Sequence, residues 1–354
     1  MVTKRVFCVL LIAALAAAVL LVARVPLVSG QGESGITVNL TPYEGNPILA
    51  IGEAGAWDVR GVGMPRVIYN DGKFHMFYSG WTEESGPAVT AIGYATSEDG
   101  LNWTRYEGNP VFVLDSTVPT SGVLKELTIL DGEMWVMYFT PSTGIYRPSE
   151  TVLRATAPSP TGPWTVDPEP VLAAGTAQDW DRWTALAVDS VLRTDEGYVL
   201  YYTLMAGATG DGPYYTGSGI GRAVSPDGIH WTKYDDPATT EADFAVSDPV
   251  FVKNPQAWDS GGVGEPVVRF SEDGWEMFYY GSSGGYWSMG YATSEDGISW
   301  TRHGTAPILT GSGLGFDPGS VLVFDDTYYL YYGYYEARTD TAEIWVATGT
   351  VTRQ

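Results

Sequence analysis

Cysteine is almost missing from this 354-residue chain: Cys8 stands alone, inside an apolar run near the N-terminus. One thiol can build neither a disulfide framework nor a thiolate zinc site. Histidine is nearly as scarce. His75, His230 and His303 lie far apart beside turns and do not form a metal-ligand spacing. Basic residues are few as well, 19 Lys and Arg against 42 Asp and Glu, for a formal net charge of −23. A surface so acidic repels nucleic-acid phosphates and anionic lipid, leaving neutral or cationic partners such as sugars. The plainer reading is that the acidity keeps the chain soluble. There is also no P-loop, no dinucleotide-binding glycine fingerprint and no nucleophile elbow on a strand-to-helix turn. No cofactor is called for, and calcium has only the acid content in its favour, without an EF-hand-like loop.

What the chain has in abundance is turn-forming and strand-filling residues: 43 Gly, 22 Pro, 23 Tyr, 13 Trp and 11 Phe. That mixture favours an all-β fold. Residues 1–30 are different in kind. Lys4 and Arg5 precede an unbroken apolar run from Val6 to Val22, and Val28-Ser29-Gly30 offers a small-residue cleavage site. The pattern is that of an export signal, with a retained anchor as the alternative. With the three basic residues of 1–30 set aside, the net charge falls from −23 to −26. The expectation is one domain over 31–354, secreted or periplasmic, monomeric, and free of the membrane once the signal is cut.

The strongest signal is internal repetition. Ala91-Ile-Gly-Tyr-Ala-Thr-Ser-Glu-Asp-Gly100 returns as Ser288-Met-Gly-Tyr-Ala-Thr-Ser-Glu-Asp-Gly297, followed by Trp103 and Trp300. Weaker copies begin at Val152 and Ile220, and a trace begins at Ile344. Before each copy come an apolar strand, a tight turn and an aromatic strand, as in Val67-Ile-Tyr-Asn-Asp-Gly-Lys-Phe-His-Met-Phe-Tyr78. Asp-Gly pairs supply the positive φ such hairpins need. Five units of four strands predict a five-bladed β-propeller. The fifth unit lacks a last strand, and Ile36-Thr-Val-Asn-Leu-Thr-Pro-Tyr-Glu-Gly-Asn-Pro47, which ends as Tyr106-Glu-Gly-Asn-Pro110 of unit one does, is predicted to supply it and close the ring. The repeated turns would share one face. The longer, dissimilar loops would share the other, bringing Trp81, Tyr146, Tyr286 and Trp287 to a sugar-binding surface.

The hairpins of Tyr-Ala-Thr-Ser-Glu-Asp-Gly-x-x-Trp type resemble those of the five-bladed glycosidases, the family 43 arabinanases and xylosidases and the related families 32 and 68. The resemblance spans about residues 36 to 354. It implies a carbohydrate-active enzyme with three carboxylates at the starts of the innermost strands of the first three blades. Cleaving an acetal needs a protonated acid on one side and an ionised carboxylate on the other. Ala56-Trp-Asp-Val-Arg-Gly-Val-Gly-Met-Pro65 aligns without gaps on Ala257-Trp-Asp-Ser-Gly-Gly-Val-Gly-Glu-Pro266. Met64 therefore stands where the first-blade Asp is expected, and Asp58 or Glu265 would have to replace it. Asp58, Asp181 and Asp259 recur with the repeat, which suits turn-forming scaffold as well as catalysis.

Departures from the repeat give the remaining candidates. Lys125-Glu126 resembles the Arg-Asp pair of the second blade, Asp189 falls near the third-blade acid, and unit five offers Asp317. The catalytic set expected is Glu126, Asp189, Glu265 and Asp58. Arg154 and Arg222 replace Tyr94 and Tyr291 of the repeat, and Arg66 follows Pro65. Lining the funnel they would pair with Glu126 and Asp189, and otherwise they would lock neighbouring blades. Met64, Arg66, Trp81, Tyr146, Arg154, Trp183, Arg222, Tyr286 and Trp287 make up the expected substrate-binding set, for an oligo- or polysaccharide. Three functions follow: a glycoside hydrolase, a non-catalytic carbohydrate-binding propeller, and a glycoside phosphorylase or transferase.

Overall fold

Each Asp-Gly or Gly turn reverses the chain between an apolar strand and an aromatic one, and antiparallel hairpins follow along the molecule. The computed structural model describes residues 30–31, 35–82, 91–114, 122–142, 151–175, 179–181, 184–206, 219–240, 244–283, 286–310, 315–336 and 341–353. The apolar run, and with it the expected signal, lies outside them. Among the described residues every named element is a strand.

The strands fall into five repeated units. Unit one runs Gly61–Asn70, Lys73–Trp81, Ala91–Ser97 and Thr104–Arg105. Unit two starts with Gly122–Asp131 and Met134–Ser142, unit three with Thr184–Thr194 and Gly197–Ala206. Unit four runs Gly262–Ser271, Gly274–Ser283, Tyr286–Ser294 and Thr301–Arg302. Unit five holds Gly315–Phe324, Thr327–Glu336 and Thr341–Arg353. Its outer partner is Ile36–Pro42, antiparallel from Ile36 opposite Arg353 to Pro42 opposite Ala347. The N-terminal segment thus completes the last unit's sheet. A parallel bridge from Ala342 to Gly61 joins unit five to unit one.

The core lies between units. Phe77 and Ile92 of unit one pack with Trp135 and Phe139 of unit two. Leu127 and Tyr138 of unit two meet Leu186 and Tyr202 of unit three. Tyr201 of unit three packs with Trp275 and Met277 of unit four, and Phe278 of unit four with Phe316 and Tyr332 of unit five. The last cluster joins Tyr331 and Ile344 of unit five to Val67, Phe74 and Met76 of unit one. Truncating one of these buried aromatics to alanine typically costs about 3–5 kcal/mol.

Polar bonds follow the same order. Ser97, Ser225 and Ser294 accept the Gly100, Gly228 and Gly297 amides and shape the repeated turns. A tyrosine of the preceding unit donates to each turn: Tyr331 to the Gly100 carbonyl, Tyr138 to Gly228 and Tyr201 to Gly297. The recurring Trp-Asp pair makes a second device. Trp57, Trp180 and Trp258 stack on Tyr78, Tyr202 and Tyr279 at 5.8, 6.2 and 5.9 Å. Those tyrosine hydroxyls donate to Asp58, Asp181 and Asp259. Each Asp also holds a cation from its unit's outer strand: Arg105, Lys233 or Arg302.

Candidate active site

The first strand of every unit carries a register break near its start: Gly63/Arg66, Val123/Lys125, Val188/Ser190, Gly264/Val267 and Pro318/Ser320. Such bulges re-aim side chains and recur beside functional sites. At two of them the backbone is left-handed at a residue other than glycine, Met64 at φ 53° and Glu265 at φ 48°. That conformation is costly for a β-branched or bulky residue and is kept where surrounding structure holds it.

Around these bulges three carboxylates close on one ammonium. Lys125 Nζ lies 2.7 Å from Asp189 Oδ1, 3.4 Å from Glu265 Oε1 and 3.6 Å from Asp317 Oδ1. The Lys125 and Asp189 side chains are each 1% exposed, whereas Glu265 and Asp317 reach solvent at 14% and 19%. The inner pair is thus support, and the outer pair faces outward. Burial alone would lower the Lys125 pKa, but Asp189, Glu265 and Asp317 together raise it, so its charge is secure.

Glu265 and Asp317 meet at the same ammonium, 3.4 and 3.6 Å from Lys125 Nζ. Burial, then Asp317, hold Glu265 well above the usual carboxylate range, with Lys125 opposing and Asp189 adding. Thr203 ties the group together. Its hydroxyl donates to Asp189 Oδ2 at 2.6 Å and accepts the Glu265 amide at 2.6 Å. Among the described residues no grouping of His, Cys, Asp or Glu is placed to hold a metal ion.

Glu126, the neighbour of Lys125, has no exposed surface. Its Oε2 accepts from Thr128 at 3.0 Å. Burial pushes its pKa up to about 7, against the pull of Arg66, Thr128 and Lys125. Glu126 therefore sits behind the site and meets no solvent. Arg66 is buried too, 3% exposed, and donates to the Glu126 carbonyl of unit two and the Gly319 carbonyl of unit five. It joins three inner strands.

Several expected site residues lie elsewhere. Asp58 is bound into the Tyr78–Arg105 device and is not among the groups around Lys125. A groove of about 570 Å³ runs beside it, lined by Trp57, Arg105, Tyr106 and neighbours, so it borders scaffold. Arg154 pairs with Asp167 at 2.7 Å, not with Glu126, because its strand register sets it opposite Tyr138. Arg222 is likewise opposite Tyr201 in its strand register and makes no ion pair with Asp189 among the described residues.

Met64 does reach the site's edge. Its amide and the Asp317 Cβ both border the empty side of Gly333, at 3.6 and 3.4 Å from where a Cβ there would stand. Trp81 lies across Gly61 and Gly63, and Trp287 across Gly315, two residues before Asp317. Tyr280 meets the Trp287 ring edge-on at 5.5 Å. Burial pushes the Tyr280 hydroxyl up to about 12, and Glu265 adds to that. Tyr146 and Trp183 lie outside the described residues. For Tyr286 the structure gives the backbone alone, opposite Ser283.

Sequence reasoning placed Asp317 in unit five without a role, and it passed over Thr203 and Tyr280. Asp317 had a usable signal, a carboxylate just before the bulge at Pro318. Thr203 had none, since a threonine in an aromatic strand reads as ordinary strand.

No family model matches the chain. A β-1,2-mannobiose phosphorylase of Thermoanaerobacter sp. (strain X514) is 33% identical over 110 residues. That stretch is 28% of this chain and 36% of that protein, so the chain matches only about a third of its relative's length. A solved structure described as showing that the GH130 family of mannoside phosphorylases contains glycoside hydrolases targeting β-1,2-mannosidic linkages in Candida mannan aligns with a TM-score of 0.66. Its identity is 17%, over 92% of this chain and 96% of that one. The β-1,2-mannobiose phosphorylase of Listeria innocua, solved with β-1,2-mannobiose, aligns at 0.63 and 15% over 88% and 97%. At such identities the likeness is one of fold. The family 43 assignment finds no support in it.

Proposed function

We propose that the chain is a five-bladed propeller closed by Ile36–Pro42, exported as one monomeric domain, and that it hydrolyses glycosides at the Glu265–Asp317 pair. The inter-unit clusters, which run from unit one back to unit one, support the ring. The observation that carries the function is the pair itself. Two partly exposed carboxyls stand in front of a buried Lys125–Asp189 ion pair, and burial, then Asp317, hold Glu265 well above the usual carboxylate range. One protonated and one ionised carboxyl is the state in which acid and base work coexist at neutral pH.

In the reaction Glu265 gives its proton to the glycosidic oxygen as the bond to the anomeric carbon breaks. Water attacks that carbon and passes its proton to a carboxylate, leaving two sugar hydroxyls. Direct attack by water inverts the anomeric carbon and needs the two carboxyls about 6.5–9.5 Å apart in the complex. Trp81 and Trp287 supply aromatic faces for sugar rings.

Phosphorolysis fits the charges less well. A phosphate dianion needs free cations, yet Lys125 is enclosed by three carboxylates and Arg66 is buried against carbonyls. The relatives' names direct the substrate toward β-1,2-linked mannosides. A carbohydrate-binding propeller without turnover is the second reading, favoured by Met64 at the bulge where unit four carries Glu265.

The test is incubation of the purified chain with β-1,2-mannobiose and a panel of other glycosides, with and without inorganic phosphate. Free sugar without phosphate supports hydrolysis. Sugar 1-phosphate formed only with phosphate overturns it. Binding by calorimetry with no product in either condition leaves the binding module.

A further inference from the structure

Units one and four present the same bulge, held by the same clamp from the unit before. In unit four, Ser190 donates to the Pro266 carbonyl and accepts the Val268 amide, at 2.7 and 2.9 Å. In unit one, Ser320 does the same for Pro65 and Val67, at 3.2 and 2.9 Å. The left-handed backbone therefore has its common support already. Thr203 is an addition on the unit-four side alone. The matching place beside Met64, on the second strand of the preceding unit, is Gly333.

The addition is fitted to its place. A Cβ on Gly264 would stand 2.6 Å from Thr203 Cγ2, so the glycine lets the threonine approach. Thr203 is 5% exposed, and both bonds of its hydroxyl go to the carboxylate cluster. One fixes the amide of Glu265, the other fixes Asp189, and Asp189 holds Lys125.

We propose that Thr203 is a positioning residue for Glu265: its hydroxyl locks the left-handed bulge to Asp189 and thereby aims the Glu265 carboxyl at Lys125, beside Asp317. The proposal rests on the hydrolase reading for its kinetic consequence, though not for its structural one.

The experiment compares Thr203→Val, which keeps the shape, with Thr203→Ser, which keeps the hydroxyl, in the full chain. On β-1,2-mannobiose, or whichever panel glycoside the wild type turns over, Val should lower kcat about tenfold or more with KM nearly unchanged. Ser should stay close to wild type. A second readout needs no activity. In carboxyl ¹³C NMR the pH at which Glu265 takes up its proton should move toward the ordinary carboxylate range in Val and return in Ser. Val behaving as wild type in the titration overturns the proposal, as does Ser as impaired as Val. If the wild type turns over no glycoside, the hydrolase reading falls and the titration alone decides for or against Thr203.

Discussion

Unit one and unit four begin with nearly the same ten residues, and only one of them presents a carboxylate at its bulge. Both have the Trp-Asp device, Trp57-Asp58 and Trp258-Asp259, with a tyrosine and an outer-strand arginine on each aspartate. Both bend into a left-handed bulge under a serine clamp. Unit four then presents Glu265 next to Thr203, while unit one presents Met64 next to Gly333. The repeat builds the same pedestal twice. What stands on it is decided by two side chains per junction, and the charged groups come from units two to five.

The sharpest way to break the comparison is to remove the ammonium behind it. Lys125→Met leaves Asp189 buried without its cation, and losing one partner of a buried pair typically costs about 3–5 kcal/mol. Urea unfolding at pH 7 measures it. Part of the loss should return at lower pH, as the carboxylates take up protons. An equal cost at all pH values would mean that Lys125 matters for packing only.

Glu126 gives a smaller effect with a definite sign. Its folded pKa is raised to about 7, so its neutral form suits the fold. The corresponding stability is full below the ordinary glutamate value and is lost as pH rises through about 7. Glu126→Gln should match wild type near pH 4 and exceed it at pH 8, by up to about 3 kcal/mol. Unfolding curves at the two pH values check this, and a variant less stable at both would give Glu126 a bonding role as an anion.

If the pedestals are equivalent, Asp58→Asn and Asp259→Asn should cost similar stability, about 1–3 kcal/mol each. Glycoside turnover should not change with Asp58→Asn. The smallest effect belongs to Met64→Glu. Without a hydroxyl at Gly333 to aim it, the new carboxyl should leave turnover at the wild-type level. A clear gain in kcat would mean that the bulge alone is enough and that Thr203's counterpart is dispensable.

The repeat was legible because short turns impose glycine and aspartate, and because Trp-Asp must recur wherever its tyrosine and cation recur. The N-terminal segment could be paired with the last unit from the missing strand together with the Tyr-Glu-Gly-Asn-Pro ending it shares with unit one. Glu265 stood out through the gapless alignment with Met64. The convergence of Lys125, Asp189 and Asp317 was harder to see. One-residue register breaks decide which side chain points at Lys125, and a bulge leaves little trace in composition. Arg154 and Arg222 were misleading for a related reason. They replace tyrosines of the repeat, yet the strand register sets them beside Tyr138 and Tyr201, at the posts between units.

The most direct test of the account is turnover by Glu265→Gln beside Asp58→Asn, on a glycoside the wild-type chain hydrolyses without phosphate. Loss of a positioned acid should lower kcat for Glu265→Gln by about 10²–10⁴-fold, with binding by calorimetry retained and Asp58→Asn as active as wild type. Undiminished turnover by Glu265→Gln, or the loss appearing in Asp58→Asn instead, would contradict it.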